Sequence, residues 1–451
     1  MNYSFPKDFM WGLGGAAFQM EGAMLEDGKT LNIREAAFYA KERQEIFLDE
    51  REPNVCADFY HRYEEDLKIM GQLAPITFRY SISWARIIPS KDAEPNRKGI
   101  DFYNKVIDSM IANGITPFMD LFHSDLPLWA IEAGGIANPE FIDWYVRYAE
   151  ICFREFGDRV KYWSTANEPM LSIFEAYANA RCMPYEKDIS RAMLATHHMV
   201  LAHFETVRIL RKLWPDAKIG MVNNVAENYC LCFEQEHIDA ANRKNIYRLI
   251  YSDPIILGQY PAELSAYPPV GAYIPEWMNK EVKEKFIPMD FYGINYYCPY
   301  FARSGNKSLL GTVGFNSGLP TDGYGFTTYA PGMFDVIYAL NERYHGMDVI
   351  ITENGYAQPR PDTSCMDLEP LQHDTIRQNY IREHVRECGR LLKAGVNLKG
   401  YFYWAFMDTW EVKNGFRVPM GLLGINFDTQ ERRPRDSFYY YQNIVKHNMI
   451  D

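Results

Sequence analysis

Apolar runs of strand length recur along the chain at 9–18, 76–84, 116–123, 160–168, 218–224, 289–297, 348–355 and 398–408. Most are near-continuous in hydrophobic residues, the pattern of strands covered on both faces as in a parallel sheet. Helical patterns lie between them. Asn138-Pro139-Glu140 predicts a helix start, with an N-cap, a proline and an acid in the first turn, and Phe141, Tyr145, Tyr148, Cys152 and Phe156 then share one face until Gly157. Tyr103, Ile107, Met110 and Ile111 form a similar stripe that closes at Asn113-Gly114, and a third helix is predicted over 190–213, before Trp214-Pro215. Eight strands alternating with helices predict an α/β fold, a closed (β/α)8 TIM barrel. A length of 451 residues would allow about three domains by size alone, but large barrels exceed that scale, and the expectation is a single catalytic domain over 1–451.

Long irregular segments at about 29–54, 304–330 and 358–372 follow the first, sixth and seventh strands, on the strand-exit side where barrel enzymes build their sites. The charged run 41–52 reads as solvated surface, and 304–330 reads equally as a lid, a lip or a contact between copies of the chain. Two glutamates stand at strand ends, in Tyr162-Trp163-Ser164-Thr165-Ala166-Asn167-Glu168-Pro169 and Val349-Ile350-Ile351-Thr352-Glu353-Asn354-Gly355. Such runs direct their terminal polar groups toward an open rim, and a pair of carboxyls there is what sugar cleavage needs. Taken singly, each glutamate also reads as an ordinary exposed rim residue.

Composition narrows the class. With 47% hydrophobic and 24% charged residues the chain is a globular protein with a large core. A net charge of -12 without a basic stripe argues against nucleic acid as a partner. The first twenty residues hold an apolar patch but no cationic start, and Gln19 and Glu21 stand where a cleavage site would be. The expectation is therefore a cytoplasmic protein, neither exported nor membrane-bound. Cysteines at 56, 152, 182, 230, 232, 298, 365 and 388 show no C-x-x-C spacing and read as buried thiols rather than disulfides. His197, His198 and His203 share a helical segment without H-E-x-x-H spacing and read as structural, so neither metal nor cofactor is expected. The aromatic content, 15%, suits stacking on sugar faces as well as core filling.

Six motifs follow one another along nearly the whole chain: Phe5-Pro6-Lys7-Asp8-Phe9-Met10-Trp11-Gly12, Gln19-Met20-Glu21-Gly22, Phe78-Arg79-Tyr80-Ser81-Ile82-Ser83-Trp84, Asn167-Glu168-Pro169, Asn295-Tyr296-Tyr297 and Thr352-Glu353-Asn354-Gly355. In this order they resemble glycoside hydrolase family 1, the retaining β-glycosidases. The resemblance implies Glu168 as general acid/base and Glu353 as nucleophile, with Arg79 and Tyr297 keeping Glu353 ionised and Asn295 beside it. It also implies a sugar pocket of Gln19, His123, Asn167, Tyr297, Trp404 and Glu411, with Asn167 on the 2-hydroxyl. Read without the resemblance, Trp404 in its apolar run Tyr401-Phe402-Tyr403-Trp404-Ala405-Phe406 is as readily core. The expected partner is a small β-glycoside or oligosaccharide, and a homo-oligomer is left open.

The chain departs from the family pattern at two positions. Ser124 and Val412 stand where indoles are usual, after His123 and Glu411. The expectation is a pocket floor that is wider or differently polar, for a sugar other than plain glucose or one substituted near O3 or O4. An alternative is a 6-phospho-β-glycosidase, a subgroup of the family with a small polar residue in place of Glu411 and a lysine and tyrosine downstream. Here Glu411 remains, Val418 and Met420 fill the downstream places, and Arg417 is the nearby cation. A further alternative is a catalytically silent sugar-binding protein on the same barrel.

Overall fold

Eight parallel strands close on themselves in the computed structural model, which describes residues 2–40, 47–266, 271–306, 308, 310–360 and 366–451. In chain order they are β1 (Met10–Gly15), β2 (Ile76–Ser81), β3 (Ile115–Asp120), β4 (Tyr162–Asn167), β5 (Lys218–Asn224), β6 (Phe291–Asn295), β7 (Val349–Asn354) and β8 (Leu398–Tyr403). Each pairs with its sequence neighbours, and β8 pairs with β1 through Gly400–Met10, Tyr401–Trp11, Phe402–Gly12 and Tyr403–Leu13, closing the ring. This is the expected (β/α)8 barrel. Phe118, Phe291, Ile350 and Phe402 form a small buried cluster on β3, β6, β7 and β8, and its bulk requires a glycine opposite. A Cβ at Gly12 would stand 2.3 Å from the Phe402 ring, so β1 admits no larger residue there.

The predicted strands overrun their observed ends at the exit side. Phe18 lies in the helical turn Ala17–Met20, Trp84 opens the turn Trp84–Ile87, and the run to 408 leaves strand geometry at Tyr403. The chain stays buried while it folds over the rim, and an apolar run alone does not distinguish a strand from a short buried turn. The helices sit close to expectation, at Arg97–Ala112, Phe141–Phe156 and Ile189–Leu213. Two details differ. Ile111 is 46% exposed, the buried stripe running through Ile100, Phe102, Tyr103, Val106, Ile107 and Met110 instead. Asn138 caps a turn, its Oδ1 accepting from the Glu140 N–H at 2.9 Å, and the helix starts after it.

The segment after β1 is more ordered than expected. It contains the helix Ile33–Tyr39, started by a reciprocal cap: Asn32 Oδ1 accepts from the Arg34 and Glu35 N–H groups at 2.9 and 3.0 Å, and Glu35 Oε2 accepts from the Asn32 N–H at 3.0 Å. Residues 41–46 of the charged run lie outside the described residues, as do 307, 309 and 361–365, including Cys365. After β6 the chain forms Tyr300–Ser304 and Thr312–Gly314, which with Asn228–Cys230 make a three-stranded sheet outside the barrel. All seven described cysteines are free thiols. Among the described residues no helix is long and apolar enough to cross a membrane.

Candidate active site

The exit ends of β2, β3, β4, β6 and β7 bring a continuous hydrogen-bonded network of polar side chains to one place. Arg79, fully buried on β2, is its hub. Its Nη1 donates to Glu353 Oε1 at 2.8 Å, while Nη2 donates to Asn167 Oδ1 at 2.7 Å and to Asp120 Oδ2 at 3.0 Å. Tyr297, just past β6, donates its hydroxyl proton to Glu353 Oε2 at 2.7 Å. Both oxygens of Glu353 thus accept a donor, one of them permanently charged, an arrangement made for a carboxylate.

Glu168 meets different neighbours. Its Oε1 accepts from Asn295 Nδ2 at 2.8 Å and Asn224 Nδ2 at 3.2 Å, both neutral amides. Burial, then the nearby charge of Glu353, push its carboxyl up to about 7. Asn295 stands beside the nucleophile as expected, the register partner of Glu353 across β6 and β7, but its side chain donates to Glu168 and, at 2.9 Å, to Asn167 Oδ1, because Thr352 Oγ1 donates to Asn295 Oδ1 at 2.8 Å and turns the amide hydrogens toward β4. Tyr297, grouped with the sugar contacts, binds Glu353 through its hydroxyl.

The rest of the candidate pocket is joined to this pair. Asn167 Oδ1 is held by two donors, so its Nδ2 faces His123, at 3.1 Å from Nε2. His123 Nδ1 in turn lies 3.2 Å from Asp120 Oδ2, so its Nδ1 carries the proton and Nε2 accepts. The His123 ring stacks on Trp404 at 5.4 Å and 18°. Trp404 is 3% exposed and belongs to a second buried cluster with Phe18, Trp410, Phe416, Val418 and Met420, so it is core and pocket floor at once. Its seat depends on Gly14 of β1, where a Cβ would stand 2.5 Å from the indole. Gln19 Nε2 donates to the Trp410 carbonyl at 3.1 Å and to Glu411 Oε1 at 3.2 Å, and Thr409 Oγ1 donates to the same oxygen at 2.6 Å. Burial pushes Glu411 up to about 7.

Both departures border this pocket. Ser124 is buried with φ of 65°; its hydroxyl pairs closely with that of Ser172, and its carbonyl accepts from Arg34 Nε at 3.1 Å. Val412 has φ of 45°, a left-handed conformation that a β-branched residue rarely takes. Asp120, Asn224, Thr409 and Tyr324 were not foreseen. Asp120 and Asn224 carry the signal that revealed Glu168, a polar residue ending an apolar strand, whereas Tyr324 lies in a segment without periodicity.

Among the described residues the three histidines of the Ile189–Leu213 helix do not meet in one ligand set. His197 faces Glu281 and Tyr260, His198 the Ile136 carbonyl and His203 Thr165, three separate surroundings. Among the described residues Cys232, Glu234 and His237 bring ligand atoms within 4.8 Å of one another on the outer sheet. There, His237 Nδ1 accepts from the Ser304 N–H at 3.0 Å, which leaves Nε2 protonated in the neutral ring and unsuited to a cation.

This geometry has relatives. Residues 1–450 match the family model for Glycosyl hydrolase family 1. A 1,4-beta-D-glucan glucohydrolase of Thermotoga neapolitana is 32% identical over 447 residues, covering 98% of each chain. The 6-phospho-beta-glucosidase GmuD of Bacillus subtilis is 32% identical over 460 residues, covering 99% of this chain and 98% of its own. The structure of a family 1 β-glucosidase from Thermotoga maritima in complex with isofagomine lactam superposes with a TM-score of 0.93, at 31% identity and complete coverage of both chains. With sequence and barrel matched from end to end, the chain belongs to glycosyl hydrolase family 1 and is a β-glucosidase-like glycoside hydrolase.

Proposed function

We propose that the protein is a retaining β-glycosidase that removes a terminal β-linked sugar by double displacement, with Glu353 as nucleophile and Glu168 as acid/base. The observation that carries this reading is the contrast between the two carboxyls. Glu353 is gripped by a guanidinium and a phenol, while Glu168 is held by amides and pushed up to about 7, so that it carries a proton to give near neutral pH. Glu353 attacks the anomeric carbon as Glu168 protonates the departing glycosidic oxygen. The bond to Glu353 removes its negative charge, one of the causes that raise Glu168, so Glu168 ionises more easily and takes a proton from the water that releases the sugar. Asn167 Nδ2 keeps one hydrogen for the 2-hydroxyl.

Ser124 and Val412, standing where indoles are usual, support a glycone other than plain glucose or one substituted near O3 or O4. The 6-phospho reading is disfavoured by charge: a phosphate at this end would meet Glu411, Val418 and Met420 are buried, and Arg417 Nη1 is spent on the Leu48 carbonyl at 2.8 Å. A panel of chromogenic β-glycosides of glucose, galactose, fucose, xylose, glucuronic acid and 6-phosphoglucose ranks the glycones directly. Glu353→Gln is expected to abolish turnover of all of them with the fold intact; residual rates above about a hundredth of the parent would contradict the nucleophile assignment.

A further inference from the structure

Val412 leaves the rim after β8 without an indole, yet the pocket is not open there. The segment after β6 turns back on itself at 321–328, bridged between Thr321 and Thr327, and forms a short finger. Asp322 locks it. Its Oδ1 accepts from the Tyr324 and Phe326 N–H groups, both at 2.9 Å, and its Oδ2 from the Ala357 N–H at 3.1 Å; the Gly323 N–H donates to the Ala357 carbonyl at 2.7 Å. The finger is thereby tied to the chain just beyond Glu353. Tyr324 reaches from it to Glu411, its hydroxyl 3.1 Å from Oε2 and 3.4 Å from the backbone carbonyl. Its ring packs into the cluster that holds Trp404 and Val412 and stacks on Phe326 at 4.8 Å and 8°, and Phe326 lies 5.7 Å from Tyr297.

Counting hydrogens at this end gives a one-sided result. Both amide hydrogens of Gln19 are committed to the Trp410 carbonyl and Glu411, so Gln19 offers its Oε1. Glu411 Oε1 already accepts from Gln19 and Thr409, leaving Oε2, which Tyr324 shares. The single hydroxyl proton of Tyr324 points at Glu411 and Asn414 bonds the phenol oxygen, so the hydroxyl has no hydrogen left to donate. A ligand group that fits here must bring its own hydrogens.

We propose that Tyr324 is a glycone-contacting, specificity-determining residue: the finger supplies a phenol in place of the missing indole and, with Gln19 and Glu411, forms an acceptor face for an uncharged sugar end bearing adjacent free hydroxyls. The proposal rests on the glycone-pocket reading above and adds a residue and a ligand chemistry to it. A phosphate, sulfate or carboxylate at the same place brings few or no hydrogens and meets Glu411 as a like charge once that carboxyl, raised to about 7, is ionised.

The test is binding, read without turnover. Tyr324→Phe removes the hydroxyl and keeps the ring. Calorimetry on the whole protein compares a gluco-configured iminosugar with its 4-deoxy and 6-deoxy derivatives. The variant is expected to bind the parent compound about tenfold more weakly, and to bind one deoxy derivative within about twofold of the wild type, since ligand and protein hydroxyls that are partners lose one interaction between them. An equal loss for all three ligands would mark Tyr324 as structural and overturn the proposal, as would no loss at all. A protein that shows this coupling but forms no glycosyl adduct would sink the hydrolytic reading and leave the Tyr324 assignment standing.

Discussion

Glu168 occupies left-handed backbone, with φ of 48° and ψ of 43°, and Pro169 behind it bars the ordinary helical conformation. The strain aims its carboxyl away from the line of β4 and beside Asn224 and Asn295. In the proposed mechanism it delivers a proton, so its replacement affects poor leaving groups most. Glu168→Gln is expected to lower kcat/KM for alkyl β-glycosides by about 10²- to 10⁴-fold and to spare kcat/KM for dinitrophenyl glycosides, whose phenolate leaves unprotonated, while kcat on the latter falls because the water that releases the sugar has lost its base. In the wild type kcat/KM is expected to fall as pH rises through about 7, because the group raised to that value loses its proton there. Equal losses on both substrates, or a variant that keeps this alkaline limb, would argue against the assignment. At this scale the sequence was informative at Asn167, Glu168 and Glu353, polar residues that close apolar strands, whereas Asp120 and Asn224 end strands in the same way and were missed. The direction in which Asn295 faces was not, because it depends on a hydroxyl, Thr352 Oγ1, contributed by the neighbouring strand.

The 321–328 finger shows how a segment without periodicity acquires a fixed shape. Four bonds around Asp322 and Gly323 fix it, two within the finger and two to Ala357, and Gly325, with φ of 87°, permits the turn at its tip. Asp322→Ala removes three of those bonds and leaves the barrel untouched. The expected outcome is a KM raised several-fold for the preferred glycoside, with little change in Tm and in labelling of Glu353; a loss of stability as large as about 3 kcal/mol would show that the finger supports the fold rather than the pocket. Elements whose information is local were legible. The stripe from Phe141 to Phe156 is one; the helix Ile33–Tyr39 was missed inside a segment read as irregular, although Asn32-x-x-Glu35 carries its start signature. The finger was not legible, since its partners, Ala357 and Glu411, come from the exits of β7 and β8 and share no spacing with it.

The barrel as a whole converts eight local strands into one rim, and closure of β8 on β1 places Trp404 and Glu411 beside Gln19 although almost four hundred residues separate them. Eight apolar runs alternating with helical patterns made this architecture readable; the side-chain network inside the rim needs the closed ring before any of its distances exist. A rim that buries carboxyls also affects stability. Glu168 and Glu411 are raised from 4.5 to about 7, so the unfolded chain releases those protons first. Their contribution to stability is fully present below pH about 4.5 and is lost as pH rises through about 7. Glu168→Gln is accordingly expected to be more stable than the wild type at pH 8, by on the order of 1–3 kcal/mol, and to lose that advantage near pH 4.5. Urea unfolding at the two pH values checks the sign; an advantage larger at low pH would refute it.

The central claim, that Glu353 forms a covalent bond to the sugar while Glu168 manages the proton, is tested most directly by trapping that bond. The wild-type protein is incubated with an activated 2-deoxy-2-fluoro glycoside of its preferred sugar, and the digest is read by mass spectrometry. The account predicts one equivalent of fluoroglycosyl on the peptide carrying Glu353, with activity lost in step and no label in Glu353→Gln. Label on Glu168 or Glu411, or full hydrolysis of the natural glycoside with no adduct from any sugar in the panel, would contradict it.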